Sequence, residues 1–561
     1  MKKFALFFVL CFCTCFIAGC NFNNEQKETV VTDKIVYQNW GVAVTEENKE
    51  SVTTEINKDD STKIAVIELI VEEPNTQFIT TVKDKKNIAA IRKELHDYRQ
   101  GIKKYYTEKN KKLVDQLNID KIDMEMSISE YTPFIFLRED KISDQAMNSL
   151  INISKKDEIN RVYILDKYEP QIELSTSINT IMNEYPINST FNGSGINIGF
   201  VESGILDVND INFVGRSITI RQDPDYPNVI DDHATKVAAI AAGNYGLARG
   251  SSIFVAQLEG DLQEEIEWFL DRDVDIINAS FGYLTNYGAY DVNSLYVDAI
   301  VNNTGILFVG SAGNASDNGL YITTPKTAFN CLTVGSCDLN GNLSDFSSFN
   351  ETFYISKPNL VAPGENIIVP GFVPTSGTSF SAPLVAGAAA IIMQNDGFLI
   401  SKPHAVISII SATTDKITSY YTEVSGLSNT VGAGMLNIDR ALNYMDTCQS
   451  FTVDNTYDDG DIVRVQNVYL NQGECIKICL TFLKNINDST TSIKLSDFDM
   501  YLKFNNEVVD FSACDYNNIE YIEYTAQQSG VYTIQINKYE QTSLSAIDNL
   551  SFAYSILEDE E

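Results

Sequence analysis

Between residues 63 and 166 the spacing of apolar positions changes several times. Lys63–Glu72 (KIAVIELIVE) is a short, nearly continuous apolar run and predicts a strand. From Asn87 to about Leu117, Ile88, Ile91, Leu95 and Ile102 recur at roughly helical spacing among charges and predict a long helix. Strand-like segments at Met124–Ser129 and Phe134–Leu137, a shorter helix near Asp144–Ile153 and the strand RVYILD follow. Strand, helix, two strands, helix, strand is the order of a small split βαβ domain. Residues 175–446 alternate short apolar strands (INIGFVES, SIFVAQL, VDIINAS, GILFVGSAG) with helix-like runs rich in small residues. That alternation predicts an α/β fold, a parallel sheet covered by helices on both faces. Residues 447–561 change again, to strand-like runs at short spacing from DIVRVQNVYL to LSFAYSIL, which predict an all-β sandwich or jelly roll.

The N-terminus changes the picture of compartment. Lys2 and Lys3 precede an apolar run, Phe4–Ile17, too short to span a bilayer and shaped like a signal peptide. It ends Ile17-Ala18-Gly19-Cys20, which resembles the bacterial lipobox and implies acylation of Cys20. Residues 21–61 are polar and read as a flexible tether. The expected organisation is therefore 1–20 signal, 21–61 tether, 62–174 small α+β domain, 175–446 α/β domain and 447–561 β-domain. The implied location is the extracytoplasmic face of a cell membrane, held by lipid.

The 561 residues carry 76 Asp+Glu against 41 Lys+Arg, a formal charge of −35. That balance excludes nucleic acid as the natural partner, because binding it relies on Lys and Arg neutralising phosphates. Lys83 to Lys121 is the one basic zone, with 12 basic and 6 acidic residues. Six cysteines follow Cys20. Cys331 and Cys337 bound one predicted strand, which holds them roughly 20 Å apart, too far to pair with each other. The same holds for Cys475 and Cys479 if ECIKICLTF is a strand, so bridges of longer range and free buried thiols are both open.

Only three histidines are present. His96 sits in the charged helix and reads as solvated. His404 follows Pro403 at a helix start and reads as a cap or surface residue. His233 heads the small-residue run DDHATKVAAIAAG. Ser379 lies in SGTSFSAPLVAGAAAI, where a tight turn enters a helix whose dipole favours a developing oxyanion. Asn314 and Glu202 each end a predicted strand, where parallel sheets form their sites. A serine nucleophile needs a base, an orienter for that base and donors for the oxyanion, and His233, Glu202 and Asn314 fit those roles. The order acid, histidine, serine differs from that of the α/β-hydrolases, and no G-x-S-x-G elbow is present.

FVESGI, HATKVAAIAAG, INASFG, SAGN, SDFSSF, VAPGENI and GTSFSAPLVAG together resemble the motifs of the subtilisin-like serine proteases over residues 175–445. The resemblance implies a monomeric serine endopeptidase acting on polypeptides, with catalytic Glu202, His233, Ser379 and Asn314. It implies that Ser280, Phe281 and Gly282 form a substrate-binding edge strand, with Ala312 and Gly313 beside it and a specificity pocket floored near Ile322–Pro325. It implies an N-terminal propeptide that inhibits in cis, its tail being Asp166–Glu173, so that cleavage near 170–178 would release the catalytic part from its anchor. The C-terminal unit resembles pre-peptidase C-terminal β-domains. The sequence requires no cofactor; Asp458, Asp459 and Asp461 offer carboxylates for a structural calcium, but without EF-hand spacing they read first as a solvated loop. Two positions depart from the family: Glu202 stands where aspartate is usual, and HATK replaces HGTH. Asp207, Asp210, Asp231 and Asp232 are the nearby surrogate carboxylates. The alternative reading is a catalytically weak or inactive relative that binds a peptide or a protease partner.

Overall fold

The computed structural model describes residues 34–37, 42–44, 48–58, 62–71, 74, 78–166, 191–223, 226–258, 262–282, 290–314, 321–350, 355–417, 423–424, 426–485, 495–540 and 547–557. The expected lipidation at Cys20, and the expected propeptide tail beyond Asp166, lie outside the described residues.

The N-terminal elements are β1 (Ile35–Tyr37), β2 (Val42–Ala43), α1 (Lys49–Ile56), β3 (Lys63–Leu69), α2 (Ile88–Leu117), β4 (Glu125–Ile128), β5 (Phe134–Glu139), α3 (Asp144–Ser154) and β6 (Ile159–Asp166). They form one sheet in the order β2-β1-β6-β3-β5-β4. The Asn87 side chain caps α2 by accepting from the Ala90 N–H, and the helix stops where Asn118 turns left-handed. One expectation is corrected. Part of the stretch read as a tether is built into this sheet, β1 pairing in parallel with β6. Ile35, Val44, Val52 and Ile56 are buried in the same core. These few apolar residues lie scattered in a polar stretch, where average composition hides them.

The central elements are β7 (Asn197–Glu202), β8 (Ile218–Ile220), α4 (Asp232–Ala242), β9 (Ser252–Gln257), α5 (Leu262–Leu270), β10 (Ile276–Ala279), α6 (Val292–Thr304), β11 (Leu307–Ser311), β12 (Cys331–Cys337), β13 (Leu360–Pro363), α7 (Thr378–Asn395), α8 (Pro403–Ala412), β14 (Glu423–Val424), β15 (Leu427–Ser428) and α9 (Ile438–Tyr444). Seven strands form a sheet in the order β13-β12-β11-β10-β7-β9-β8. Every neighbouring pair is parallel. Apolar residues of α4, α7 and α8 pack on one face and those of α5 and α6 on the other. Helix α7 lies against α4 closely enough that a Cβ at Gly387 would stand 3.1 Å from the Ala241 carbonyl oxygen. The strand order reverses between β7 and β10, which marks the C-terminal ends of those two strands as the place for a site.

The C-terminal strands are β16 (Gln449–Asp454), β17 (Ile462–Leu470), β18 (Cys475–Phe482), β19 (Asp497–Phe504), β20 (Glu507–Ser512), β21 (Ile519–Thr525), β22 (Gly530–Glu540) and β23 (Ile547–Leu557). They make two antiparallel four-stranded sheets, β16-β23-β18-β21 and β17-β22-β19-β20. Phe482, Phe498, Met500, Ile534 and Phe552 are buried among them. Cys331, Cys337, Cys448, Cys475, Cys479 and Cys514 are all free thiols. Among the described residues no helix is long and apolar enough to cross a membrane.

The basic face of α2 meets the acidic side of the central body. Arg92 pairs with Asp275, and Lys103 Nζ lies 2.8 Å from Asp271 Oδ1. Arg99 is fully buried and donates to the carbonyls of Thr304 and Val274. His96 is corrected here. Its Nδ1 lies 2.8 Å from Asp273 Oδ1, so it bridges two bodies where a solvated role was expected. Nearby, Glu267 on α5 accepts from the Ser129 hydroxyl at 2.6 Å and from the Glu130 N–H.

Candidate active site

Glu202 is the last residue of β7, and His233 is the second residue of α4. His233 Nδ1 donates to Glu202 Oε2 at 3.1 Å, both groups being buried. The other carboxylate oxygen, Oε1, accepts from the Ser280 N–H at 3.3 Å. The longer glutamate side chain therefore reaches the imidazole and the end of β10 at once. Burial raises the Glu202 carboxyl above its ordinary value, and the His233 hydrogen bond opposes that rise.

The surrogate carboxylates hold the scaffold and not the ring. Asp231 caps α4, accepting from the His233 backbone N–H at 2.9 Å and from the Ser203 hydroxyl at 3.1 Å. Asp207 and Asp210 accept from the backbone N–H groups of Asn209 and Asn212. None of these bonds involves the imidazole.

Ser379 is the second residue of α7, in its unsatisfied first turn. Its hydroxyl donates to the Ser280 carbonyl at 3.1 Å, and its own carbonyl accepts from the Ser280 hydroxyl at 2.9 Å. The second bond has a cause in the sequence. Pro383 has no N–H, so the carbonyl four residues earlier lacks its helical donor. Ser280 supplies that donor and is itself held by Asn278 Nδ2 at 2.9 Å. In this structure the Ser379 hydroxyl faces Ser280 and makes no hydrogen bond to His233. The three groups are linked in the chain His233–Glu202–Ser280–Ser379.

Asn314 follows β11. Its Oδ1 accepts from the Thr378 N–H and the Thr378 hydroxyl, each at 2.8 Å. This fixes the orientation of the amide and carries Nδ2 towards Gly377, where an added Cβ would lie 3.2 Å away. Gly377 also has φ +152, a conformation that favours glycine. The Asn314 amide thus sits beside the turn that carries Ser379. Sequence reasoning missed the aiming role of Thr378 and the carbonyl-bonding role of Ser280. The signals were present, as Thr378 adjoins Ser379 and Pro383 follows it by four.

The expected substrate residues divide. Ser280 adjoins the nucleophile. The Phe281 side chain is buried, with Lys326 Nζ 4.5 Å from the ring centroid, so only its backbone is left to serve as the expected edge strand. An added Cβ at Gly282 or Gly313 would meet the Thr323 side chain, which places Thr323 beneath both segments. Ala312 donates to Val334 O at 2.9 Å and accepts from the Thr323 N–H at 3.2 Å, so its backbone is engaged within the fold. Gly313 donates to the Thr378 hydroxyl at 3.1 Å and accepts from the Ser348 N–H at 3.0 Å.

His404 is also corrected. It is buried at the start of α8, and its imidazole is pushed down to about 3 by that burial. The carboxylates expected to offer calcium do not converge. Asp461 accepts from the Asp458 N–H at 2.8 Å, and Asp459 lies 3.8 Å from Lys538 Nζ. Among the described residues no group of three or more His, Cys, Asp or Glu side chains is arranged to hold a metal.

A sequence model described as the Subtilase family matches residues 98–434. The thermostable alkaline protease of Halalkalibacterium halodurans is 29% identical over 216 residues, which is 36% of this chain and 57% of that protein. Subtilisin BL of Lederbergia lenta is 26% identical over 276 residues, 45% of this chain and 93% of its own. Among solved structures, fervidolysin from Fervidobacterium pennivorans, a keratinolytic enzyme related to subtilisin, aligns over 90% of this chain and 92% of its own. Its sequence identity is 14% and its TM-score 0.48.

Proposed function

The chain belongs to the subtilase family of serine endopeptidases, and from that premise we propose that it hydrolyses peptide bonds through an acyl-enzyme built on Ser379. The observation that carries the reading is the buried 3.1 Å bond between Glu202 and His233, tied through Ser280 to a serine at a helix N-terminus. With its Nδ1–H held by Glu202, the imidazole presents Nε2 as base. The Ser379 hydroxyl turns from the Ser280 carbonyl to that nitrogen, gives up its proton and attacks the substrate carbonyl carbon. Asn314 Nδ2 and the first-turn N–H groups of α7 stabilise the oxyanion, one such donor being worth about 10²–10³ in rate. His233 then protonates the leaving amine, and water reverses the sequence to free the acid.

In this reading the N-terminal body is a propeptide. Support comes from its seat on α5 and α6 and from the basic face of α2 against Asp271, Asp273 and Asp275. The same reading puts the chain on the extracytoplasmic face of a membrane through lipidated Cys20, as a monomer, with release following cleavage between the N-terminal and central bodies.

A second reading has one observation in its favour: the Ser379 hydroxyl donates to the Ser280 carbonyl and not to His233. On that reading the cleft binds a peptide or a protease partner without cutting it. Residues 21–561 as wild type and as Ser379→Ala, treated with a fluorophosphonate and weighed intact, separate the two. Labelling of wild type alone, with loss of the N-terminal ~150 residues predicted by the domain reading, supports the peptidase. No label on the folded wild type abandons it.

A further inference from the structure

A cavity of about 550 Å³ opens where the N-terminal, central and C-terminal bodies meet, and none of its lining residues belongs to the Glu202–His233–Ser379 constellation. The N-terminal body contributes Phe78, Lys83 and Tyr98, the central body Asn302, Lys402 and His404, and the β-domain Phe451. We infer that this junction is a binding site for a small organic carboxylate with an aromatic or branched apolar body.

Three observations converge. First, Asn302 is 2% exposed, and neither its Oδ1 nor its Nδ2 has a protein hydrogen-bond partner. His404 is 6% exposed, and its Nδ1 is likewise without a partner. Buried polar atoms are nearly always bonded, so several unpartnered ones lining one cavity point to a ligand. Second, the chain has 76 acidic residues, yet the lining holds two lysines and no carboxylate. Third, α8 begins at this cavity with Pro403, and its N-cap residue Lys402 makes no side-chain capping bond. A helix N-terminus adds positive potential and favours an anion.

The donors select a carboxylate. Asn302 Nδ2 gives one N–H, and neutral His404, in the tautomer protonated at Nδ1, gives another. Lys83 and Lys402 complement the charge. The rings of Phe78, Tyr98 and Phe451 form the apolar wall that selects the body of the ligand, a division common to small-molecule sites. Two sources share this chemistry, a free arylalkanoic acid and the C-terminal carboxylate of a short peptide. A ligand here touches all three bodies and holds them together, whatever the fate of the peptidase reading.

The test is calorimetric titration of the full Ser379→Ala chain with 3-phenylpropionate and with N-acetylglycyl-phenylalanine, each against its primary amide. One of the acids is expected to saturate with a Kd of about 0.1–1 mM, its amide binding at least ~10-fold more weakly. Lys83→Met and Lys402→Met should each weaken the acid several-fold, and Asn302→Leu more. Lys83→Met keeps the test decisive if the buried substitution impairs folding. Which acid saturates identifies the source. The site is overturned if neither saturates by ~10 mM, if acid and amide bind alike, or if binding survives Lys402→Met, which would place it in the catalytic cleft.

Discussion

The carbonyl of Ser379 is a residue-scale problem that the chain sets and solves itself. Pro383 denies it a helical donor, and Ser280 provides one from the end of the neighbouring strand. Ser280→Ala should lower stability by about 1–3 kcal/mol, because a buried acceptor and the Asn278 amide both lose a partner. In a Pro383→Ala background, where a backbone N–H is restored, the loss should shrink. Equal shifts of the urea midpoint in both backgrounds would show that the proline is not the cause. Glu202 poses the complementary question. Its two oxygens hold His233 and Ser280 together, so aspartate, although usual in the family, would fall short by about one methylene. Glu202→Asp should therefore lower kcat, by ~100-fold if the misplacement approaches ~1 Å. Glu202→Gln should cost ~10³–10⁴ by favouring the wrong tautomer. A Glu202→Asp enzyme faster than wild type would refute this account of the reach. Lys326 is fully buried, its Nζ has no hydrogen-bond partner, and burial pushes it down to about 7, against an ordinary 10.5. Between those values the unfolded chain binds the extra proton. The penalty for burying Lys326 is thus complete below about pH 7 and is relieved as pH rises towards 10.5, at up to about 1.4 kcal/mol per pH unit. Denaturant midpoints of Lys326→Met against wild type should differ most at neutral pH and converge in alkali.

Elements were legible wherever one period ran long enough. The α2 stripe of Ile91, Leu95 and Ile102 is buried as its spacing requires, and the small-residue run of α7 lets it sit inside the molecule. Glu202, His233, Asn314 and Ser379 could be read because each stands at a strand or helix end announced by a motif. What escaped was decided by partners distant in sequence. Strand β1 is three residues long and exists only because β6, more than a hundred residues later, offers an edge. His404 looks like a cap or surface residue until other elements cover it. Glu267 also depends on such covering. Ser129 and Glu130 of the N-terminal body bury it, and burial raises its carboxyl to about 7 from an ordinary 4.5. The folded chain holds that proton more tightly than the unfolded chain. The destabilisation is therefore complete above about pH 7 and fades as pH falls towards 4.5. Glu267→Gln keeps an acceptor for the Ser129, Glu130 and Tyr296 donors and removes the charge. It should raise the urea midpoint at pH 8 and lose that advantage near pH 5. An advantage independent of pH would mean that the carboxylate is not the cause.

At the scale of the whole molecule, charge and apolar burial contribute differently to the seat of the N-terminal body. The chain carries −35, yet Lys83 to Lys121 is basic and lies against Asp271, Asp273 and Asp275. Lys103–Asp271, Lys85–Asp396 and Lys85–Asp446 are partly exposed pairs of the kind that contribute about 0.2–1 kcal/mol each and are screened by salt, whereas the Asp275 carboxylate that Arg92 meets is fully buried. The same seat holds Tyr296 of α6 edge-on to Phe134 at 6.2 Å and to Phe136 at 5.7 Å, with Arg99 bonded to two carbonyls in the interior. Those contacts are dry and barely sensitive to ionic strength. A Ser379→Ala chain with a specific protease site placed in residues 167–190, once cut, should therefore stay associated on a sizing column at low salt. Between ~0.05 and ~0.5 M salt the dissociation constant should rise roughly tenfold, the share that three or so screened pairs can supply. Release in full at moderate salt would assign the seat to charge alone. An unchanged constant would mean that the basic face of α2 steers the N-terminal body into place without holding it there.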